Sequence, residues 1–201
     1  MAFRIFISLV VLACGYFAFE AGRLVFLQHS LLSAPDEQSL GNPDGDLVLV
    51  KFFEYSCSEC RANFPVINQA LNQDAQVKFI PRPRRAINGE GINPALVVYA
   101  ASKHGKFEAM HNALVQNYRI INDNVLADLA SDVGLDPAVL AQDIKSKDVQ
   151  KMAEKNEKLF ARYRLVGTPA YAIGKDILFV PQDDLSANEF VTLFQLARGE
   201  Q

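Results

Sequence analysis

Apolar and polar positions divide the chain into a short apolar run, a polar stretch and a long patterned region. Ile5 to Phe19 is uncharged and mostly apolar. Gln28 to Asp46 is polar and holds Pro35, Gly41, Pro43 and Gly45, the composition of a linker. Leu47 to Tyr55 is then almost continuously apolar, the pattern of a strand buried on both faces. Phe64, Ile67, Ala70 and Leu71 recur at helical spacing, and Pro65 among them should kink that helix. Val77 to Ile80 is a second short strand. Strand, helix and strand at this spacing make a βαβ unit and predict parallel pairing.

Helical periodicity dominates the next region. Pro94 to His104 reads as one helix, closed by Gly105. Phe107, Met110, His111, Leu114, Val115 and Tyr118 form the stripe of a second, and Val125, Leu126, Leu129 and Val133 that of a third. Asp136-Pro137 opens a fourth with a cap and a first-turn proline, carrying Leu140 and Ile144. Val149, Met152, Leu159, Phe160 and Tyr163 mark a fifth. Strand character returns at Ala170–Ile173 and Ile177–Val180, around the hairpin signal Gly174-Lys175-Asp176. Ser186 and Glu189 form a capping box that opens a last helix, Ala187 to Ala197. The expected class is α/β.

Composition narrows the compartment and partners. A chain of 201 residues, half of them hydrophobic, suits one domain plus an N-terminal appendage. Its net charge of −3, with Lys and Arg spread through the chain, offers nucleic acid no basic face. The one basic cluster, Arg82, Arg84 and Arg85 around Pro81 and Pro83, reads as a solvated loop. The run Ile5–Phe19 is short against the roughly 17–25 residues of a membrane span. Ala2 and Phe3 bring it to length if Arg4 snorkels towards the headgroups. A positive charge ahead of the run orients the N-terminus inward and exports the rest of the chain. We read residues 1–27 as an uncleaved signal-anchor. A signal peptide cleaved at Ala13-Cys14-Gly15 and a lipoprotein modified at Cys14 are the alternatives. Each delivers the domain, residues 47–200 behind a linker at 28–46, to a compartment where disulfides persist.

The candidate chemistry is Cys57-Ser58-Glu59-Cys60, set between the first strand and the first helix. A thiol at a helix N-terminus feels the positive end of the helix dipole, which favours the nucleophilic thiolate. A second thiol one turn on can attack a mixed disulfide. A structural staple over so small a loop removes little unfolded-state entropy. A zinc half-site needs further ligands, and His29, His104 and His111 have no ligand spacing. A soft-metal relay for an ion such as Cu(I) would want Met or His beside the pair, where Ser58, Glu59 and Arg61 stand. No metal and no diffusible cofactor are therefore expected. His111 reads as a packed, hydrogen-bonded core residue. In Val166-Gly167-Thr168-Pro169, before the hairpin, Pro169 is either a cis peptide or an ordinary trans turn proline.

These residues together resemble the thioredoxin superfamily, and within it the DsbA-like thiol–disulfide oxidoreductases. The resemblance rests on Phe52-Phe53-Glu54-Tyr55-Ser56-Cys57-Ser58-Glu59-Cys60 with Pro65 behind it, and on Val166-Gly167-Thr168-Pro169 running on to Gly174. Leu40–Asp46 and Gly105–Leu114 are also similar. It implies a thioredoxin fold with a helical insertion at about residues 82–166, a cis Pro169 facing the cysteines, Cys57 as the exposed nucleophile and Cys60 as the buried resolving thiol. The backbone of Thr168 could pair with an extended substrate segment. The implied partners are unfolded or cysteine-containing proteins, with a DsbB-like membrane oxidase resetting an oxidant or a DsbD-like reductase resetting a reductase or isomerase. We expect an extracytoplasmic oxidase or general oxidoreductase rather than an isomerase. Two positions depart from the family. Lys51 stands where a buried acid usually serves the resolving cysteine, and a buried lysine is costly unless paired or neutral. Glu59 stands where strongly oxidising members carry histidine, and its carboxylate should disfavour a thiolate at Cys57. With Ser58, these two are the expected tuning residues.

Overall fold

The computed structural model describes residues 2–86 and 89–200, with side chains from residue 16 onwards. The apolar segment from Leu47 forms strand β2 (Leu47–Phe53), in the middle of the sheet. It pairs in parallel with β3 (Val77–Pro83) and antiparallel with β4 (Ala170–Ile173), which turns into β5 (Ile177–Phe179). A two-residue strand, β1 (Leu40–Gly41), lies antiparallel on the outer side of β3. The order β1-β3-β2-β4-β5 is the thioredoxin arrangement.

Successive β2 residues face opposite sides, as the period of a strand requires. Leu47, Leu49 and Phe53 join the core that holds Phe64, Ile67 and Ala70 of α3 (Phe64–Gln73) and Phe190 and Phe194 of α9 (Ala187–Arg198). Val50 and Phe52 pack on the other side, with Leu31 of α1 (Ala2–Leu32) and Leu159 and Phe160 of α8 (Lys147–Arg162). Between β3 and β4 lies the helical insertion: α4 (Pro94–Ser102), α5 (Phe107–Gln116), α6 (Asp123–Asp132), α7 (Pro137–Ile144) and α8. The α7 cap forms through Asp136, and the Ser186–Glu189 capping box opens α9.

Four expectations change. The helix expected to kink at Pro65 is broken instead. A short α2 (Ser58–Ala62) ends at Asn63, and Pro65 occupies the first turn of α3, where its missing N–H costs no bond. Tyr118 leaves the α5 stripe, because that helix ends at Gln116, and it stands 85% exposed.

The stretch 28–46 is more structured than a linker. It holds the last turn of α1, a 3-10 turn (Asp36–Gln38) and β1. Gly41 belongs there for close approach: at φ +69° a Cβ would meet the Val77 carbonyl at 2.6 Å. Arg82, read as solvated, is buried. Its guanidinium donates to the carbonyls of Ser30 (2.9 Å), Leu31 (2.7 Å) and Ser33 (2.9 Å) and to Asn156 Oδ1 (3.2 Å). It thereby satisfies carbonyls at the C-terminus of α1 that have no partner within the helix. Pro81 and Pro83 fit the strand because β1 pairs only as far as Phe79, leaving an edge beside them. The expected membrane run at Ile5–Phe19, with Cys14, lies mostly outside the described side chains. Among the described residues, no helix is long and apolar enough to cross a membrane.

Candidate active site

The chain leaves β2 at Phe53, turns through Glu54 to Ser56 and enters α2 with Cys57 as its N-cap. Cys57 Sγ accepts the backbone N–H of Cys60 at 3.2 Å, a bond that stabilises negative charge on sulfur. Cys57 is partly exposed and Cys60 fully buried, both as free thiols. Burial pushes the Cys60 thiol up to about 12, reinforced by its hydrogen bond with Cys57; the Glu54 backbone and Thr168 side chain oppose it. The asymmetry is therefore physical: one accessible sulfur at a helix N-terminus, and one desolvated sulfur held as a thiol.

The Thr168–Pro169 peptide is cis, and the Thr168 carbonyl lies 3.8 Å from Cys57 Sγ. This brings together residues more than a hundred positions apart. Glu59 and Ser58 are exposed on the outer side. The Cys57 thiol donates to Glu59 Oε2 at 3.4 Å, and Ser58 Oγ donates to the same oxygen at 3.0 Å. Its own backbone N–H, then Ser58 and Cys57, hold the Glu59 carboxyl below its usual range. The bond from Cys57 exists only for the thiol; a thiolate would face the carboxylate instead.

Lys51 lies behind the pair with no exposed surface. Its Nζ donates to the Cys60 carbonyl at 2.8 Å and sits 3.5 Å from the Phe64 ring centroid, with the Phe53 and Tyr171 rings at 5.8 and 5.9 Å. Burial pulls its amine down from 10.5 to about 7, and negative charge on Cys60 and Cys57 pulls it back up. A lysine poised between charged and neutral near pH 7 answers the cost that its position in a buried strand raises.

His111 is buried, and its Nδ1 shares a 2.9 Å hydrogen bond with Tyr55 Oη. Burial, then the charge of Lys51, hold the imidazole down to about 3, so it is neutral at ordinary pH. Tyr171 Oη donates to Asn63 Oδ1, tying β4 to the junction of α2 and α3.

Other neighbours were not expected from the sequence. Arg61 donates to the carbonyls of Tyr55 (2.8 Å) and Asn117 (2.6 Å) and stacks under Tyr118. On the Thr168 side, a cleft of about 530 Å³ is lined by Glu54, Arg84, Glu157 and Val166. Arg84 is bonded to Glu157 at 2.8 Å and stacked on Phe160, and Val166 is 93% exposed. An arginine-proline alternation signals a loop from sequence alone. Only the register of β3 against β2 turns these arginines towards α1 and α8.

Comparison with known proteins agrees with this geometry. Residues 88–189 match the DSBA-like thioredoxin domain family, a segment that holds the helical insertion, the cis-proline and the hairpin. The thiol:disulfide interchange protein DsbA of Bordetella parapertussis is 25% identical over 157 residues, spanning 73% of this chain and 71% of that protein. A thioredoxin-like oxidoreductase from Silicibacter pomeroyi DSS-3 superposes with a TM-score of 0.75 at 30% identity, over 86% of this chain and 98% of that one. A periplasmic thioredoxin-like protein from Salmonella enterica serovar Typhimurium shares the fold, with a TM-score of 0.71 at 21% identity over 87% of this chain and 97% of that one. The chain belongs to the DsbA-like thioredoxin domain family and is a thiol–disulfide oxidoreductase.

Proposed function

We propose that this protein exchanges disulfides with cysteine-bearing substrate proteins outside the cytoplasm, through Cys57 as nucleophile and Cys60 as resolving thiol. The supporting observation is the asymmetry of the pair: Cys57 caps α2 beside the cis-proline loop, and Cys60 is buried one turn behind it. In the oxidised form a substrate thiolate attacks Cys57 sulfur. The bond to Cys60 breaks, and Cys60 sulfur leaves with the electron pair and takes up a proton. A second substrate thiolate then attacks its own sulfur in the mixed disulfide, and Cys57 leaves as a thiolate. The substrate has lost two electrons and the pair has gained them, so no diffusible cofactor is needed. The Thr168 backbone would hold the segment around the substrate cysteine as an added strand.

A redox partner must reset the pair: a DsbB-like membrane oxidase if the protein oxidises, a DsbD-like reductase if it reduces or isomerises. The Glu59 contact favours the thiol and supports a couple less oxidising than a histidine-bearing one. The apolar run behind Arg4 supports export and an anchor in the inner membrane. The test is catalysed insulin reduction with a dithiol donor. We expect turnover by the intact protein and none by Cys57→Ala. Stoichiometric Cu(I) binding without turnover would favour a metal relay instead. Carbonate extraction of membranes carrying the full chain tests the anchor, and recovery in the soluble fraction counts against it.

A further inference from the structure

α3 turns an uncharged polar face to solvent. Its exposed positions are Pro65, Asn68, Gln69, Asn72 and Gln73, and the helix carries no charged residue. Charged side chains are the ordinary choice on such a face, and asparagine is a poor helix former. Across from it, α5 exposes Asn112 and Gln116. Asn68, Asn72, Asn112 and Gln116 make no side-chain hydrogen bond to other described residues. Two clefts of about 460 and 560 Å³ lie between the helices, and Asn68 and Asn112 line both. The first begins at Ser58, the neighbour of Cys57, and the second ends at Leu40 and Gly41 of β1. One groove therefore leads from the active site along α2 and α3 to the β1 edge. It runs on the β1 side of Cys57, whereas the Thr168 loop approaches from the β4 side.

An amide side chain donates and accepts, as a peptide unit does. A row of amides can pair with a backbone whatever side chains that backbone carries. The charges at the groove are few: Arg61, already bonded to the Tyr55 and Asn117 carbonyls, at one end and Glu108 at the other. We propose that this amide-lined groove holds the backbone of the substrate polypeptide beyond its cysteine, a second arm of the site opposite Thr168. The proposal rests on reading Cys57 as a nucleophile towards protein substrates. From Ser58 to Asn72 the helices run about 20 Å, room for about six residues of an extended chain. A folded chain has its peptide groups already paired, so the groove takes only an unfolded segment. It asks nothing of the sequence around the substrate cysteine.

The test measures turnover of a short dithiol peptide by the intact protein, with glutathione disulfide as terminal oxidant. The peptide is used bare and with a neutral tail of about eight residues at either end. A tail at one end should lower KM by about tenfold, the sum of a few net hydrogen bonds, with kcat unchanged. Serine–threonine and alanine–glutamine tails should act alike, and a tail with N-methylated peptide groups should lose the gain. In Asn68→Ala/Asn72→Ala/Asn112→Ala the ratio of tailed to bare KM should return to near one. A second readout needs no change in the groove. In the mixed disulfide of Cys60→Ala with the tailed peptide, the side-chain amide resonances of Asn68, Asn72 and Asn112 should shift relative to the bare peptide. A KM indifferent to the tail with those resonances unmoved overturns the inference, as does a gain that survives N-methylation or the triple substitution. An N-acetylglucosamine oligomer that moves the resonances where the tail does not assigns the groove to a glycan and overturns it too. Failure to turn over any of the peptides sinks the redox reading itself. Turnover of bare and tailed peptides alike sinks only the groove.

Discussion

Replacing Lys51 by methionine should stabilise the protein at neutral pH, although it removes a hydrogen bond. An unfolded lysine titrates near 10.5, and this one is held at about 7. Between those values the unfolded chain binds a proton that the folded chain does not. Folding therefore carries a cost that is full below about pH 7 and fades as pH rises towards 10.5. At about 1.4 kcal/mol per pH unit, that interval comes to roughly 5 kcal/mol. Methionine fills a similar volume without the charge, but leaves the Cys60 carbonyl without its donor, a loss of about 1–3 kcal/mol. The net gain expected at pH 7 is about 2–4 kcal/mol. Urea unfolding of the disulfide form, with the remaining cysteine, Cys14, blocked by alkylation, measures it between pH 6 and 9.5. The wild type should gain stability with pH by up to ~1.4 kcal/mol per unit above pH 7, and Lys51→Met should lose that dependence. Tyr55, Tyr99 and Tyr171, held protonated by burial, pull the other way only above their ordinary range near 10. A Lys51→Met protein less stable than the wild type at pH 7, or a wild type flat across this window, would refute the reasoning.

Three further outcomes are expected. Glu59→His removes the acceptor beside Cys57 and puts a potential cation there. The reduced form should gain by about tenfold or more in equilibrium with glutathione, ~30 mV more oxidising, and a shift in the opposite sense would sink the role given to Glu59. Arg82→Met unhooks the end of α1 and should cost about 3 kcal/mol in denaturant unfolding. Hydrogen-exchange protection near residues 28–33 should fall with it, and a change within error would show that those carbonyl bonds contribute little. Gly41→Ala places a Cβ 2.6 Å from the Val77 carbonyl at a positive φ, and should cost about 1–3 kcal/mol, read from the thermal midpoint.

The sheet core and the cysteine pair were legible in the sequence because local patterns carry them. Continuous apolar runs gave β2 and β4, helical stripes gave the insertion, and caps at Asp136 and Ser186 gave helix starts that the structure reproduces. What stayed hidden depends on partners distant in the chain. Leu40 and Gly41 look like linker residues until β3 offers its edge. Arg82 looks solvated until the end of α1 presents carbonyls without helix partners. Arg61 and Tyr118 meet only because the turn after α5 folds back over α2. The sequence signalled that Lys51 was unusual. The Phe64 ring and the Cys60 carbonyl that hold its amine required the fold.

The most direct test of the site is equilibration of the purified protein in glutathione redox buffers, with the cysteine states read by alkylation and peptide mass spectrometry. The expected result is a single two-electron transition in which Cys57 and Cys60 interconvert between dithiol and mutual disulfide, and in which Cys60→Ala accumulates a glutathione adduct on Cys57. Cysteines that remain reduced throughout, or an adduct that forms on Cys60 while Cys57 stays unreactive, would contradict the assignment of Cys57 as the nucleophile of a redox pair.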